Sequence, residues 1–243
     1  MNTYLLLLSI LLLVSIVLYY QSSSVQLWRA TVPAVFGAGV IFMVAMLVLS
    51  GKGVLIYDLR YFIGSDNLGI PYEVILGAFV FPFAGISIYS FLNLKFPAQT
   101  YEKYSLALSN ILMGLCIAMI FFAYTKWYPV FTFGLMMLSL FIVEYKNKIR
   151  FMYRFYRSYL VLLLAYLAVV VQFHYAGYIG FHEQHTIKFR LFYVPFESFF
   201  LLFSITLISI LLFEVFKRRY RLEESQGTSG GLVLPVKKLS KNR

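Results

Sequence analysis

Long apolar runs alternate with short polar stretches along the whole chain. The runs cover Thr3–Tyr20, Pro33–Ser50, Pro71–Asn93, Tyr104–Tyr124, Tyr128–Tyr145, Ser158–His174 and Pro195–Lys217. Each is close to or above the ~18 apolar residues that mark a membrane-crossing helix. Gly51-Lys52-Gly53 ends the second run, and Val54–Gly69 carries Asp58, Arg60 and Asp66, too many charges to cross. A basic loop with Lys146, Lys148, Arg150, Arg154 and Arg157 follows the fifth run. No Lys or Arg precedes the first run and no small-residue cleavage site follows it, so a retained helix is expected rather than a signal peptide. The pattern predicts an all-α, polytopic integral membrane protein of about seven transmembrane helices over residues 1–221. A Ser-, Gly- and Lys-rich tail over 222–243 is expected to be disordered and cytosolic.

Two stretches share one pattern. Ile70-Pro71-Tyr72-Glu73 and Val194-Pro195-Phe196-Glu197 both read apolar, Pro, aromatic, Glu, and each opens an apolar run. Proline suits the first helical turn, where its missing N–H removes no needed bond. Glu73 and Glu197 are therefore expected in the first turns of two membrane helices. A carboxyl at the membrane edge is costly and points to function. Arg60-Tyr61-Phe62 precedes the first motif and Arg190-Leu191-Phe192-Tyr193 the second. Four crossings separate the motifs, so both enter from one face, as in parallel repeats that frame a shared site. The sequence thus predicts a pseudo-repeat, with Arg60, Arg190, Tyr61, Tyr72, Pro71 and Pro195 as weaker candidates for orienting the glutamates or touching a substrate.

Composition narrows the class. The 243 residues are 61% hydrophobic and 13% charged, with mean hydropathy +0.79, outside the range of soluble domains. The net charge of +11 lies mostly at helix ends, where it contacts anionic lipid; no nucleic acid is expected as a partner. The loops after spans one, three and five together with the tail hold 16 Lys and Arg, against 5 in the other loops. The positive-inside rule then places the N-terminus outside and the C-terminus in the cytosol, with the cell membrane as the expected location. A lone cysteine, Cys116, permits no internal disulfide.

The chemistry of a carboxyl at a membrane helix start is set by opposed forces. The helix dipole favours the anion, and desolvation favours the neutral acid. One glutamate as acid and the other as base would suit proton chemistry on an apolar substrate. The chain is 19% aromatic, with 25 Phe and 20 Tyr. Aromatic faces stabilise cations without attacking them, but aromatics are also common at membrane interfaces, so composition leaves both readings open. His182-Glu183-Gln184-His185 is expected to be a solvated loop and no metal site is predicted. Glu144 and Glu214 are expected in interfacial ion pairs, and Asp58 and Asp66 in pairs with Arg60 and Lys52. A retinal-binding reading fails because the last run has no lysine before Lys217.

The stretch from Gly53-Val54-Leu55 to Gly64, followed by Ile70-Pro71-Tyr72-Glu73 and by Val194-Pro195-Phe196-Glu197, resembles the lycopene cyclase domain family over about residues 3–218. These are small membrane cyclases of carotenoid synthesis in bacteria, archaea and fungi, unrelated to the flavin-dependent soluble enzymes. The resemblance implies acid-initiated cyclisation of a linear polyene end group with no net redox and no cofactor. It also implies Glu73 and Glu197 as acid and base in an order the sequence does not set, a lipid-soluble polyene substrate, and homo- or hetero-oligomers with carotenoid enzymes. The family usually places a second carboxylate after each glutamate; Val74 and Ser198 stand there, as in a diverged member, and Leu55 and Ile56 replace an expected tryptophan. Two readings from other classes stay open: a non-catalytic isoprenoid-binding subunit, and a proton-coupled transporter.

Overall fold

A computed structural model describes residues 3–22, 27–64, 69–97, 102–146, 150–175 and 177–229, with no side-chain detail at 102–103, 173–174 and 221–229. Asp66 and Lys148 lie outside the described residues. Seven helices cross a membrane-sized thickness: α1 Thr3–Ser22, α2 Trp28–Gly51, α3 Tyr72–Lys95, α4 Glu102–Phe122, α5 Trp127–Phe141, α6 Met152–Tyr175 and α7 Phe196–Ser229. Helix α5 continues through a π-helical turn, Ile142–Lys146. Four short strands sit between helices: β1 Leu55–Tyr57, β2 Ile179–Phe181, β3 Arg190–Leu191 and β4 Val194–Pro195. The protein is an all-α polytopic membrane protein.

Some boundaries differ from the apolar pattern. Helix α2 begins at Trp28, ahead of Pro33, because the Trp28 ring packs on Tyr19 at 4.5 Å and on Phe83 at 6.0 Å and draws the first turn into the core. Helix α6 begins at Met152 rather than Ser158, since Met152 and Phe155 are buried. The helical backbone of α7 runs to Ser229, past residue 222, and 230–243 lie outside the described residues. Pro82 is accommodated inside α3.

The chain is two copies of one unit, shifted by 124 positions, the separation of Glu73 and Glu197. Under that shift α1 maps onto α5 with its π turn, α2 onto α6, β1 onto β2, and the start of α3 onto the start of α7. The 3-10 turn Leu59–Tyr61 maps onto Glu183–His185. Gly53 and Gly177, which let the chain leave α2 and α6, correspond too; both hold φ near +70°, at 68° and 75°, a region where a Cβ is disfavoured. Among the described residues helix α4 has no counterpart. It supplies the extra crossing that makes the units parallel.

The units meet about a two-fold axis. β1 and β2 pair antiparallel, with Ile56 opposite Gly180 at the centre and Leu55 and Tyr57 opposite Phe181 and Ile179. Symmetric backbone bonds extend the ribbon at both ends: Asp58 N–H donates to the Tyr178 carbonyl and His182 N–H to the Val54 carbonyl. Beneath it α3 and α7 form the buried centre; α1 packs on α3 as α5 packs on α7, while α2 crosses to pack mainly on α7 and α6 mainly on α3. Small residues allow the close crossings between helices. A Cβ on Gly39 would fall 2.3 Å from the Phe79 ring, and one on Gly85 would fall 3.0 Å from Thr206 Cγ2 on α7.

Candidate active site

Pro71 and Pro195 stand immediately before α3 and α7, outside rather than inside the first turn. Pro71 is the N-cap of α3, with extended ψ of 139°. Pro195 is the last residue of β4, opposite Arg190 in the β3–β4 hairpin. The residue needed at the cap has to be extended to receive the incoming loop, and proline supplies that shape as readily as it opens a helix. Glu73 and Glu197 then fall in the first turns as expected.

Both glutamates are buried, 2% and 0% exposed. Glu73 Oε1 accepts the Ile63 N–H at 2.8 Å, and Glu197 Oε1 accepts the Ile187 N–H at 2.7 Å. Each carboxyl thus binds the loop ten residues upstream to its helix start, and the two bonds are related by the repeat. Among the described residues the other oxygen of Glu197 has no hydrogen-bond partner.

The arginines do not take part in this arrangement. Arg60 forms a two-point bond to Asp58, Nε at 2.9 Å and Nη2 at 2.6 Å, at the exposed surface. Its guanidinium holds the Asp58 carboxyl below its ordinary range. Arg190 lies 3.7 Å from Glu183, also exposed. The orienting role expected of Arg60 and Arg190 falls instead to backbone N–H groups, because the loop passes closer to the helix start than a long side chain does. Tyr61 stacks on Tyr178 across the ribbon at 4.3 Å, and Tyr72 is exposed. Lys52 sits over the Trp127 ring, 4.5 Å from its centroid; its expected partner Asp66 lies outside the described residues. Glu144 accepts from the Ser109 hydroxyl. Glu214 accepts from Tyr89 at 2.9 Å with Lys217 at 3.8 Å.

A cavity of about 80 Å³ lies on the two-fold axis under the ribbon. Its wall follows the repeat: Tyr4 corresponds to Tyr128, Phe42 to Tyr166, Leu55 to Ile179, Tyr57 to Phe181 and Val74 to Ser198. The cavity is therefore composite, with its wall drawn about equally from the two units. Glu73 and Glu197 are not part of that wall. The residues after them, Val74 and Ser198, are, since consecutive helical positions point about 100° apart. Ser198 Oγ is 2.7 Å from the Tyr128 hydroxyl, and Tyr128 stacks on Phe181 of the ribbon at 5.3 Å. Phe81 meets Tyr166 edge-on at 5.5 Å. An apolar, aromatic wall with a few hydroxyls suits a hydrocarbon that becomes transiently cationic.

Tyr4, Tyr128 and Tyr166 escaped the sequence reading because they lie inside or at the edge of apolar runs, where tyrosine is ordinary. Aligning the chain to itself at the spacing of the two Pro–aromatic–Glu motifs would have paired Tyr4 with Tyr128.

A family model described as lycopene cyclase matches the chain in two segments, residues 1–92 and 125–216, which coincide with the two units. No curated protein and no solved structure matches it.

Proposed function

The chain belongs to the lycopene cyclase family, and from that premise we propose that it closes rings on the end groups of a linear, lipid-soluble polyene inside the cavity on the two-fold axis. The observation that carries this reading is the coincidence of the two family matches with the two units that jointly wall one aromatic cavity. Protonation of a terminal double bond gives a tertiary cation, which the neighbouring double bond attacks to form the ring. Loss of a proton then restores neutrality with no change of oxidation state. Glu73 and Glu197 are the acid and base, each buried in the first turn of a central helix. The aromatic wall stabilises the cation and excludes water that would trap it.

At about 80 Å³ the cavity is smaller than the ~150 Å³ that admits benzene in an apolar protein interior. It holds a terminal branch of the polyene; the folded end group enters as the wall expands, with the rest of the chain running between helices toward lipid. The same reading places the ribbon on the non-cytosolic face, the side with fewer basic residues.

The test is pigment analysis in a bacterium that accumulates lycopene. Cyclic carotenoids appear with the wild-type chain and disappear with Glu73→Gln or Glu197→Gln. Unchanged lycopene, with wild-type protein present in the membrane, would sink the cyclase reading and leave the isoprenoid-binding one.

A further inference from the structure

Glu197 is joined to a lysine through a single peptide group. The Ile187 N–H donates to Glu197 Oε1 at 2.7 Å. The Lys126 ammonium donates to the Thr186 carbonyl, the other end of the same peptide unit. We propose that Lys126 is a positioning residue for the proton-accepting step: through the Thr186–Ile187 peptide it holds Glu197 as the carboxylate that takes a proton from the cyclised cation. This rests on the cyclase reading above and makes Glu197 the base, leaving the opening proton to Glu73.

Three observations support it. The first is where the lysine lies. Lys126 is the N-cap of α5, an end of the helix where the dipole opposes a cation, and a lysine at a membrane boundary ordinarily extends to the headgroups. Lys126 is instead half-buried and bonds a residue that is 2% exposed. The second is the sense in which the peptide is polarised. A cation on the carbonyl oxygen strengthens the N–H at the other end as a donor, and that N–H bonds most strongly to an ionised acceptor. A buried carboxylate has to be compensated by a cation or by donors; Lys126 supplies the cation and also acts on Glu197 through space. The third is the free oxygen. Glu197 Oε2 is buried with no hydrogen-bond partner among the described residues, so one oxygen is held by the loop and the other is left to receive a proton. Tyr128, in the turn that Lys126 caps, lines the cavity, so the start of α5 meets both the substrate wall and the loop that holds Glu197.

The step balances. Glu73 gives a proton to the terminal alkene, and the neighbouring double bond supplies its electron pair to close the ring. The cyclised cation loses a C–H proton to Glu197 Oε2, and the electron pair of that C–H bond becomes the ring double bond. Lys126 keeps its protons throughout. One proton is taken up and one released, and no electron is transferred to or from the substrate.

The experiment measures ring formation at varied lycopene in isolated membranes carrying the full chain, together with amide hydrogen exchange of the same variants. Lys126→Arg keeps a charge and a donor, Lys126→Gln keeps a donor without the charge, and Lys126→Met keeps neither. Lys126→Arg is expected to turn over near the wild-type rate. Lys126→Gln and Lys126→Met lose kcat by about tenfold or more, the scale of a charge-assisted bond. Their KM stays close to wild type, because the lysine acts in proton transfer rather than on bound substrate. The Ile187 amide exchanges faster in Lys126→Met than in the wild type. Wild-type turnover by Lys126→Gln, loss of turnover in Lys126→Arg, a raised KM with kcat unchanged, or wild-type exchange at Ile187 in Lys126→Met overturns the role of Lys126 while leaving the cyclase reading intact. If Lys126→Met does not fold, Lys126→Gln decides: a lowered kcat at unchanged KM supports the proposal, and wild-type turnover overturns it. No cyclic product from the wild type overturns the cyclase reading and the acceptor role with it.

Discussion

At Glu197 a single carboxyl has a structural bond and a proposed chemical task, and substitution separates them. Glutamine keeps an oxygen to accept the Ile187 N–H, so Glu197→Gln is expected to melt near the wild-type temperature in detergent while making no cyclic product. Alanine leaves that N–H buried without an acceptor, a loss of about 1–3 kcal/mol, and Glu197→Ala should melt distinctly lower. Equal melting of the two variants would refute the structural bond. Glu73 and Ile63 should behave alike, because the same bond recurs there at 2.8 Å. The surface arginines predict the opposite. Arg60 pairs with Asp58 in water-exposed geometry, and exposed pairs contribute little. Arg60→Gln and Arg190→Gln are expected to leave both melting and pigment output close to wild type; a loss of product in either would restore them to the site.

Among the elements, the loops that feed α3 and α7 show where the two units have diverged. The β3–β4 hairpin turns through Phe192 and Tyr193, both at positive φ, 50° and 67°. Such two-residue turns favour glycine or asparagine, and a left-handed residue with a Cβ loses roughly 1–2 kcal/mol. The position equivalent to Tyr193 is Gly69, at φ 75°. Tyr193→Gly is therefore expected to raise the unfolding midpoint by removing strain, unless the Tyr193 contact with Tyr175, 5.5 Å between rings, outweighs it. A fall in the midpoint would show that the contact dominates. The helices show how little propensity alone decides. Trp28 begins α2 five residues before the proline that marks its apolar pattern, since burial against Tyr19 and Phe83 adds more than the helix loses at Pro33.

For the molecule as a whole, the ribbon is the joint between the units and the roof of the cavity. A Cβ built on Gly180 would lie 3.8 Å from the Ile56 Cβ, the mean spacing across a disulfide. The double variant Ile56→Cys/Gly180→Cys is expected to crosslink on oxidation, read by thiol labelling, with Cys116 buried and out of reach. If the wall must expand to admit an end group, the oxidised form makes little ring product in isolated membranes and a reductant restores it. Full activity of the crosslinked form would mean that substrate enters without displacing the roof.

The apolar periodicity by itself determined seven crossings, because a bilayer demands about twenty apolar residues per helix whatever lies beside it. It also determined the parallel repeat, since four crossings between two like motifs return the chain to the same face. The two glutamates stood out because burying carboxyls in an apolar chain is costly. What the sequence did not reveal was direction. Whether Glu73 faces substrate or loop depends on where Ile63 passes, and that is set by a ribbon joining residues more than a hundred positions apart. The pairing of Tyr128 with Ser198 and the fusion of two half-sites into one cavity follow from the same two-fold contact. Local pattern fixes that each helix forms and roughly where it runs; packing sets where α2 and α6 begin, and only packing between the units fixes which side chains share an interior.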